Sequence, residues 1–179
     1  LSDAATLDAP TARALAELSH LRGITAGMID VTAEGLEALA GIPTLDALML
    51  SRPRIGAPAL LAALPKLRHL RSLVVEAGGA IGGADLLPLA TMKNLRALDI
   101  SFGKLDDEAL AGLPAHLELL AFAGLDCSPE GLLGLRRLTG LRTLRFRGLA
   151  AKAAGALPDH ALLALQGPRA VEVVSAMVG

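Results

Sequence analysis

Aromatic side chains are almost absent: the chain has no tryptophan, no tyrosine and three phenylalanines. A core of mixed shapes usually fills part of its volume with rings. A chain that is 53% hydrophobic without them must instead pack aliphatic side chains against one another many times over, the composition expected of small identical units in a stack. The same absence removes the aromatic platforms on which nucleic-acid bases stack. Net charge is −1, so no field of one sign draws the molecule to nucleic acid or to an anionic membrane. A single cysteine excludes an internal disulfide framework and fits a reducing compartment, which sets a cytoplasmic location as the expectation. No apolar run approaches the ~20 residues needed to span a bilayer. The start, Leu1-Ser2-Asp3, lacks the basic segment and apolar run of a signal peptide. With no initiator methionine, the chain is expected to be a trimmed or excised part of a longer protein.

What the sequence has in abundance is a recurring phrase: an aliphatic residue, two variable positions, a second aliphatic, one variable position, a third. It reads Leu21-Ile24-Ala26, Leu45-Leu48-Leu50, Leu70-Leu73-Val75, Leu95-Leu98-Ile100, Leu117-Leu120-Phe122 and Leu141-Leu144-Phe146, with a weaker copy at Val171-Val174-Ala176. The alternation of the last two anchors predicts a short strand. Ten residues after the leading residue comes a small apolar position (Val31, Ile55, Leu105, Cys127, with Ile81 one residue late). A turn or capping residue follows it: Thr32, Gly56, Gly82, Asp106 or Ser128. Glu34, Glu108 and Glu130 then fall in the first turn of a predicted helix, where its dipole favours negative charge. Leucine pairs at three-residue spacing and runs such as Leu15-Leu18-Leu21, Leu64-Leu67-Leu70 and Leu135-Leu138-Leu141 lead into the next strand. Each unit has one apolar face and nothing of its own to bury it against; side by side, the units share a core.

As a set these phrases resemble the leucine-rich-repeat family, of bacterial type, from about Leu15 to Val178. Val31-Thr32-Ala33-Glu34-Gly35-Leu36 and Leu105-Asp106-Asp107-Glu108-Ala109-Leu110 are similar to the helical-turn segment of its ribonuclease-inhibitor-like and cysteine-containing subclasses. The asparagine or cysteine that usually follows the strand is replaced by Ile29, Pro53, Gly78, Gly103, Leu125 and Leu149, so the side-chain ladder of those subclasses is missing. The resemblance implies an α/β solenoid with about seven short parallel strands on a concave face and short helices on the convex one. It implies a single domain over 1–179: an N-terminal helical cap over 1–20, six repeats over 21–170 and a terminal strand over 171–179. It also implies a protein that binds partners on its strand-lined face rather than an enzyme.

In such a solenoid the variable strand positions face outward. The first column reads Arg22, Asp46, Arg71, Arg96, Glu118, Arg142 and Glu172; the second begins Gly23, Ala47, Ser72 and Ala97; the third reads Thr25, Met49, Val74, Asp99, Ala121, Arg145 and Ser175. One reading is that Arg and acid residues pair across neighbouring strands and only keep the face soluble. The other is that a small, partly apolar floor flanked by charge is a docking surface, with Arg71, Arg96, Met49, Val74 and Asp99 among the contacts. Toward the end, Arg136, Arg137, Arg142, Arg145, Arg147 and Lys152 fall within one unit, for which an acidic protein segment is the expected partner. A second reading of the whole chain is a structural or self-associating solenoid segment, joined through the apolar tail Val171 to Val178.

Residues that could carry chemistry all have a place in the repeat. His20, His69 and His116 each precede a leading leucine, a turn slot filled elsewhere by Thr44, Asn94 and Gly140. Two repeats separate the first pair, roughly 10 Å at strand spacing, too far to share a metal ion. His160 sits beside Asp159 at a predicted helix start with no second ligand. Cys127 stands in the column of Val31, which predicts a buried, inert thiol. Asp106-Asp107-Glu108 aligns with Thr32 and Ser128 as a helix start. Gly78-Gly79-Ala80-Ile81-Gly82-Gly83 lacks the lysine and hydroxyl of a phosphate loop. No metal or other cofactor is expected.

Overall fold

The computed structural model describes residues 6–55, 57–76, 83–146 and 172–175. Strand and helix alternate along the chain. In order they are β1 (Thr6–Leu7), α1 (Ala9–Ala16), β2 (Gly23–Gly27), β3 (Asp30–Val31), α2 (Ala33–Leu39), β4 (Ala47–Ser51) and α3 (Ala57–Ala63). There follow β5 (Ser72–Glu76), α4 (Gly83–Leu86), β6 (Ala97–Leu105), α5 (Asp107–Gly112), β7 (Leu119–Leu125), α6 (Pro129–Leu133), β8 (Thr143–Phe146) and β9 (Glu172–Ser175). Seven strands form one parallel sheet in the order β2-β4-β5-β6-β7-β8-β9, each sequential strand lying beside the last, as a solenoid requires. The expected α/β leucine-rich-repeat architecture is the one observed.

The register follows the phrase. Ile24 faces Leu48, Leu73, Leu98, Leu120 and Leu144 in turn across the sheet. Leu48, Leu73, Leu98, Leu120 and Leu144 are all buried, as are Leu50, Val75, Ile100 and Phe122 in the parallel column. Helical leucines (Leu36, Leu39, Leu60, Leu86, Leu89, Leu110) close the core from the other side. Among the described residues no polar or charged side chain is buried. The last rung departs from expectation. β9 pairs through Thr143↔Glu172 and Leu144↔Val173, where the phrase Val171-Val174-Ala176 predicts Val173 opposite Thr143. Side chains alternate with period two, so a one-residue slip exchanges the two faces; the weak final copy, with valines at 171, 173 and 174, leaves its register underdetermined. Leu18 also departs. The frame assigns it to the core, yet it is 53% exposed, because it belongs to the first unit, outside which no further unit among the described residues lies.

Local signals set the helix boundaries. Asp8, Thr32, Asp106 and Ser128 each accept the backbone N–H three residues on (Thr11, Gly35, Ala109, Gly131) at 2.8–3.0 Å, the N-cap bond that satisfies an otherwise free donor. That bond holds the Asp8 carboxyl below its ordinary range. Pro65 and Pro88 cannot continue an α-helical ladder, and at each the helix tightens into a 3-10 turn, Leu64–Lys66 and Leu87–Thr91. Leu113 precedes Pro114, is forced to an extended conformation (φ −68°, ψ 145°), and so shortens the fourth unit.

The N-terminal segment, expected as a helical cap, also contributes β1, which pairs with β3 through Thr6↔Asp30 and Leu7↔Val31. This brings the Leu7 carbonyl against Gly35, where a Cβ would overlap it. Gly35→Ala should therefore lower the thermal midpoint, although alanine is the better helix former. Gly134→Ala, with nothing within 4 Å of its added methyl, should be neutral or raise stability by about 0.4–1 kcal/mol. Equal responses of the two variants in a denaturant melt would count against the close approach of β1.

Candidate protein-binding surface

The residue before each strand forms the first outward column. Backbone bonds from Asp46 N to Arg22 O, Arg71 N to Asp46 O, Arg96 N to Arg71 O, Glu118 N to Arg96 O and Arg142 N to Glu118 O, all 2.7–2.9 Å, hold it in line. Strands ~4.8 Å apart bring long side chains on neighbouring rungs within reach, and two pairs form. Arg22 meets Asp46 at 2.9 Å and 3.1 Å; Arg96 Nε lies 3.8 Å from Glu118 and its Nη1 donates to Lys93 O at 2.9 Å. These are exposed or half-exposed pairs of small energetic weight, but they occupy Arg96, which the sequence offered as a contact. Glu172, read as the last member of this column, stands one column over, opposite Thr143. Among the described residues Arg71 and Arg142 have no ion-pair partner, and both are exposed.

The third outward column carries the remaining sheet-face candidates. Met49, Val74 and Asp99 face one another on β4, β5 and β6 in register and are half-buried; Ala121 is buried, and Arg145, opposite it on β8, is exposed. Of the arginines clustered in the last unit, Arg137 is held by backbone carbonyls. Its Nη1 donates to Leu113 O at 2.8 Å and its Nη2 to Leu110 O, capping the carbonyl end of α5 from the next unit. Burial lowers its guanidinium pKa. Arg136, Arg142 and Arg145 are exposed; Arg147, Lys152 and His160 lie outside the described residues, as do Gly56, Gly82 and Val171.

A polar ladder absent after the strands exists before them. In the turn slots of three units a side chain reaches back to a carbonyl of the preceding one. Thr44 Oγ1 donates to Leu21 O (2.7 Å), Asn94 Nδ2 to Arg68 O (2.8 Å), and His116 Nε2 lies 3.1 Å from Met92 O and donates to it. The sequence assigned this slot to turn closure, and that reading stands for Thr44, Asn94 and His116. It missed that the slots of successive units border a shared groove of about 520 Å³, with His20 and His69 on its lip and Thr44 and Asn94 in its wall. Arg22, Asp46 and Arg71 complete it. The signal was available: polar residues at one slot and charged residues two positions later, repeated at the unit spacing.

Among the described residues no three His, Cys, Asp or Glu side chains converge as a metal site would require, and no helix is long and apolar enough to cross a membrane. Asp107, expected at the helix start, has Oδ1 accepting the Ser128 N–H of the next unit at 2.8 Å, and a Cβ at Gly131 would overlap that carboxylate. Cys127 is 3% exposed; burial, with the charge of Asp107 second, pushes its thiol up to about 11.

No protein-family profile and no curated protein sequence matches the chain. Solved structures do. An internalin C2 from Listeria monocytogenes superposes with a TM-score of 0.61 at 20% identity over 99% of this chain and 71% of that one. An internalin (inlF) from the same organism gives 0.53 at 15% identity over 91% of this chain and 45% of that one. Internalins are leucine-rich-repeat proteins, and at these identities the likeness establishes the fold. The chain spans 71% of one of these neighbours and less than half of the other.

The Cys127 environment gives a pH test. Its thiolate is disfavoured in the folded state, so its contribution to stability is complete below the ordinary thiol value of 9.0 and is lost as pH rises through about 11. Denaturant midpoints from pH 8 to 11 should fall more steeply for the parent chain than for Cys127→Ala. Parallel profiles would mean that the thiol is accessible to solvent.

Proposed function

We propose that the chain is a non-catalytic protein-binding module whose partner docks on the outward face of the seven-stranded sheet. The observation that carries this reading is the contrast between the two faces of the same strands. Inward columns repeat one chemistry, aliphatic at nearly every rung. The third outward column changes from rung to rung, through Thr25, Met49, Val74, Asp99, Ala121 and Arg145. Packing requires the first and does not explain the second. A half-buried apolar stretch at Met49 and Val74 on β4 and β5, with exposed Arg142 and Arg145 three strands further along the same sheet at β8, combines the apolar and charged groups of an interface. An acidic segment of the partner suits the cationic end. Arg147 extends it in sequence.

Self-association is a second reading, supported by the sheet order. Among the described residues β2 and β9 each have a single neighbour in the sheet, and wherever the edge of a parallel sheet is open it offers unpaired backbone groups to another strand. Sedimentation velocity over a wide concentration range separates the two: a constant monomer mass discards the second reading. For the first, a partner captured by the parent chain should bind Arg142→Glu/Arg145→Glu at least about tenfold more weakly in calorimetry, the loss expected when contacting charges are reversed. Circular dichroism of that variant should be unchanged. Equal affinity would remove the sheet face as the docking surface.

A further inference from the structure

The groove before the strands has a charge that the sheet face does not explain. It runs across four consecutive units, from His20 to Asn94. Its fixed parts are already satisfied: Thr44 and Asn94 are bonded to backbone carbonyls, and the Asp46 carboxylate is held by two bonds from Arg22. What remains directed to solvent is cationic or polar. Arg71, His20 and His69 are exposed on its border, and Arg68 and Lys93 are exposed in the adjoining turns. Among the described residues Asp46 is the single acidic one lining it. The charge asymmetry is local, since the whole chain is close to neutral.

We infer that this groove is a second docking site, distinct from the sheet face, that takes an extended acidic segment (aspartate- or glutamate-rich) of a protein partner along the strand-leading edge. Charge complementarity selects the occupant: Arg71 in the lining and Arg68 in the adjoining turn, which have no carboxylate partner among the described residues, favour carboxylates beside a polar wall. Dimensions agree. Four units are three strand spacings, ~14 Å, which an extended chain covers in about four residues. A base-stacking ligand would find no Phe, Tyr or Trp ring among the described residues that line the groove. The inference does not rest on the sheet-face reading, because none of Met49, Val74 or Arg145 lines the groove.

Fluorescence anisotropy with a labelled oligoglutamate peptide tests it. The parent chain should bind the peptide and not an oligolysine of the same length, with affinity that falls as salt is added. Arg71→Glu should weaken binding about tenfold or more, and Asp46→Asn, which removes the one acid and releases Arg22, should strengthen it severalfold. A gain of this sign cannot come from a damaged fold. Arg136→Glu, the same charge change on an exposed residue of the last unit, should leave the affinity unaltered. Any of four results overturns the inference: no binding of oligoglutamate, equal loss in Arg136→Glu, loss in Arg145→Glu as large as in Arg71→Glu, or tighter binding of oligothymidylate than of the peptide. Failure of the sheet-face proposal would leave these outcomes untouched.

Discussion

Apolar contact between neighbouring units is the constraint from which the other features follow. A unit of strand, turn and helix presents Leu, Ile and Val along one side, and only the next unit and the facing helical leucines can remove them from water. Cooperation is therefore between neighbours, and the ends of the stack show its cost. Interior rungs bury Leu48, Leu73, Leu98, Leu120 and Leu144 almost completely, whereas Ile24 and Ala26 on β2 are only partly buried and Leu18 is exposed. The β1–β3 pair and α1 cover part of that end, which is why the Leu7 carbonyl must come so close to Gly35.

Because the core takes nothing but aliphatic side chains, every polar task moves to the turns. Capping residues satisfy the helix starts, and turn-slot residues bind the carbonyls of the unit before. Arg137 and Asp107 do the same between α5 and its following unit. The turn-slot, Arg137 and Asp107 bonds run from one unit to its neighbour, so these polar groups fix the orientation of contacts that the leucines make non-directionally. The role assigned elsewhere to an asparagine ladder after the strand is divided here among these different side chains.

This division explains what the sequence disclosed. Strands, helix starts and the identity of the buried columns were legible because each is dictated by period and by backbone donors, which depend on position alone. Cys127 and Asp106 fell where their slots placed them. Long side chains were less legible. Column position gives the direction of a Cα–Cβ bond but not the destination of a guanidinium four bonds further on, so Arg137 read as surface when it caps a helix, and Arg96 read as available when Glu118 and a carbonyl hold it. The register of β9 failed for a different reason: Val171, Val173 and Val174 offer two nearly equivalent apolar alternations, and the 30 residues from Leu141 to Val171, against 22 to 25 between earlier leading residues, leave spacing unable to choose between them. The groove went unread because it belongs to no single repeat; it arises only where four turns stand side by side.

The same reasoning locates where this chain is free to recognise something. Inward columns are committed to packing, the turn-slot residues Thr44, Asn94 and His116 to bonds between units, and cap residues to helix starts. Only the outward columns and the exposed groups beside the turn slots have chemistry that folding does not prescribe. Those two regions meet at the first column, where Arg71 lies on the groove and Arg142 on the sheet side of one continuous row. A partner crossing the strands can therefore place an acidic stretch on the leading edge and apolar groups against Met49 and Val74 without either surface having to move. Under the proposed reading, discrimination between partners rests on the spacing of charges along the row, a quantity set by the strand spacing and by which units carry an arginine.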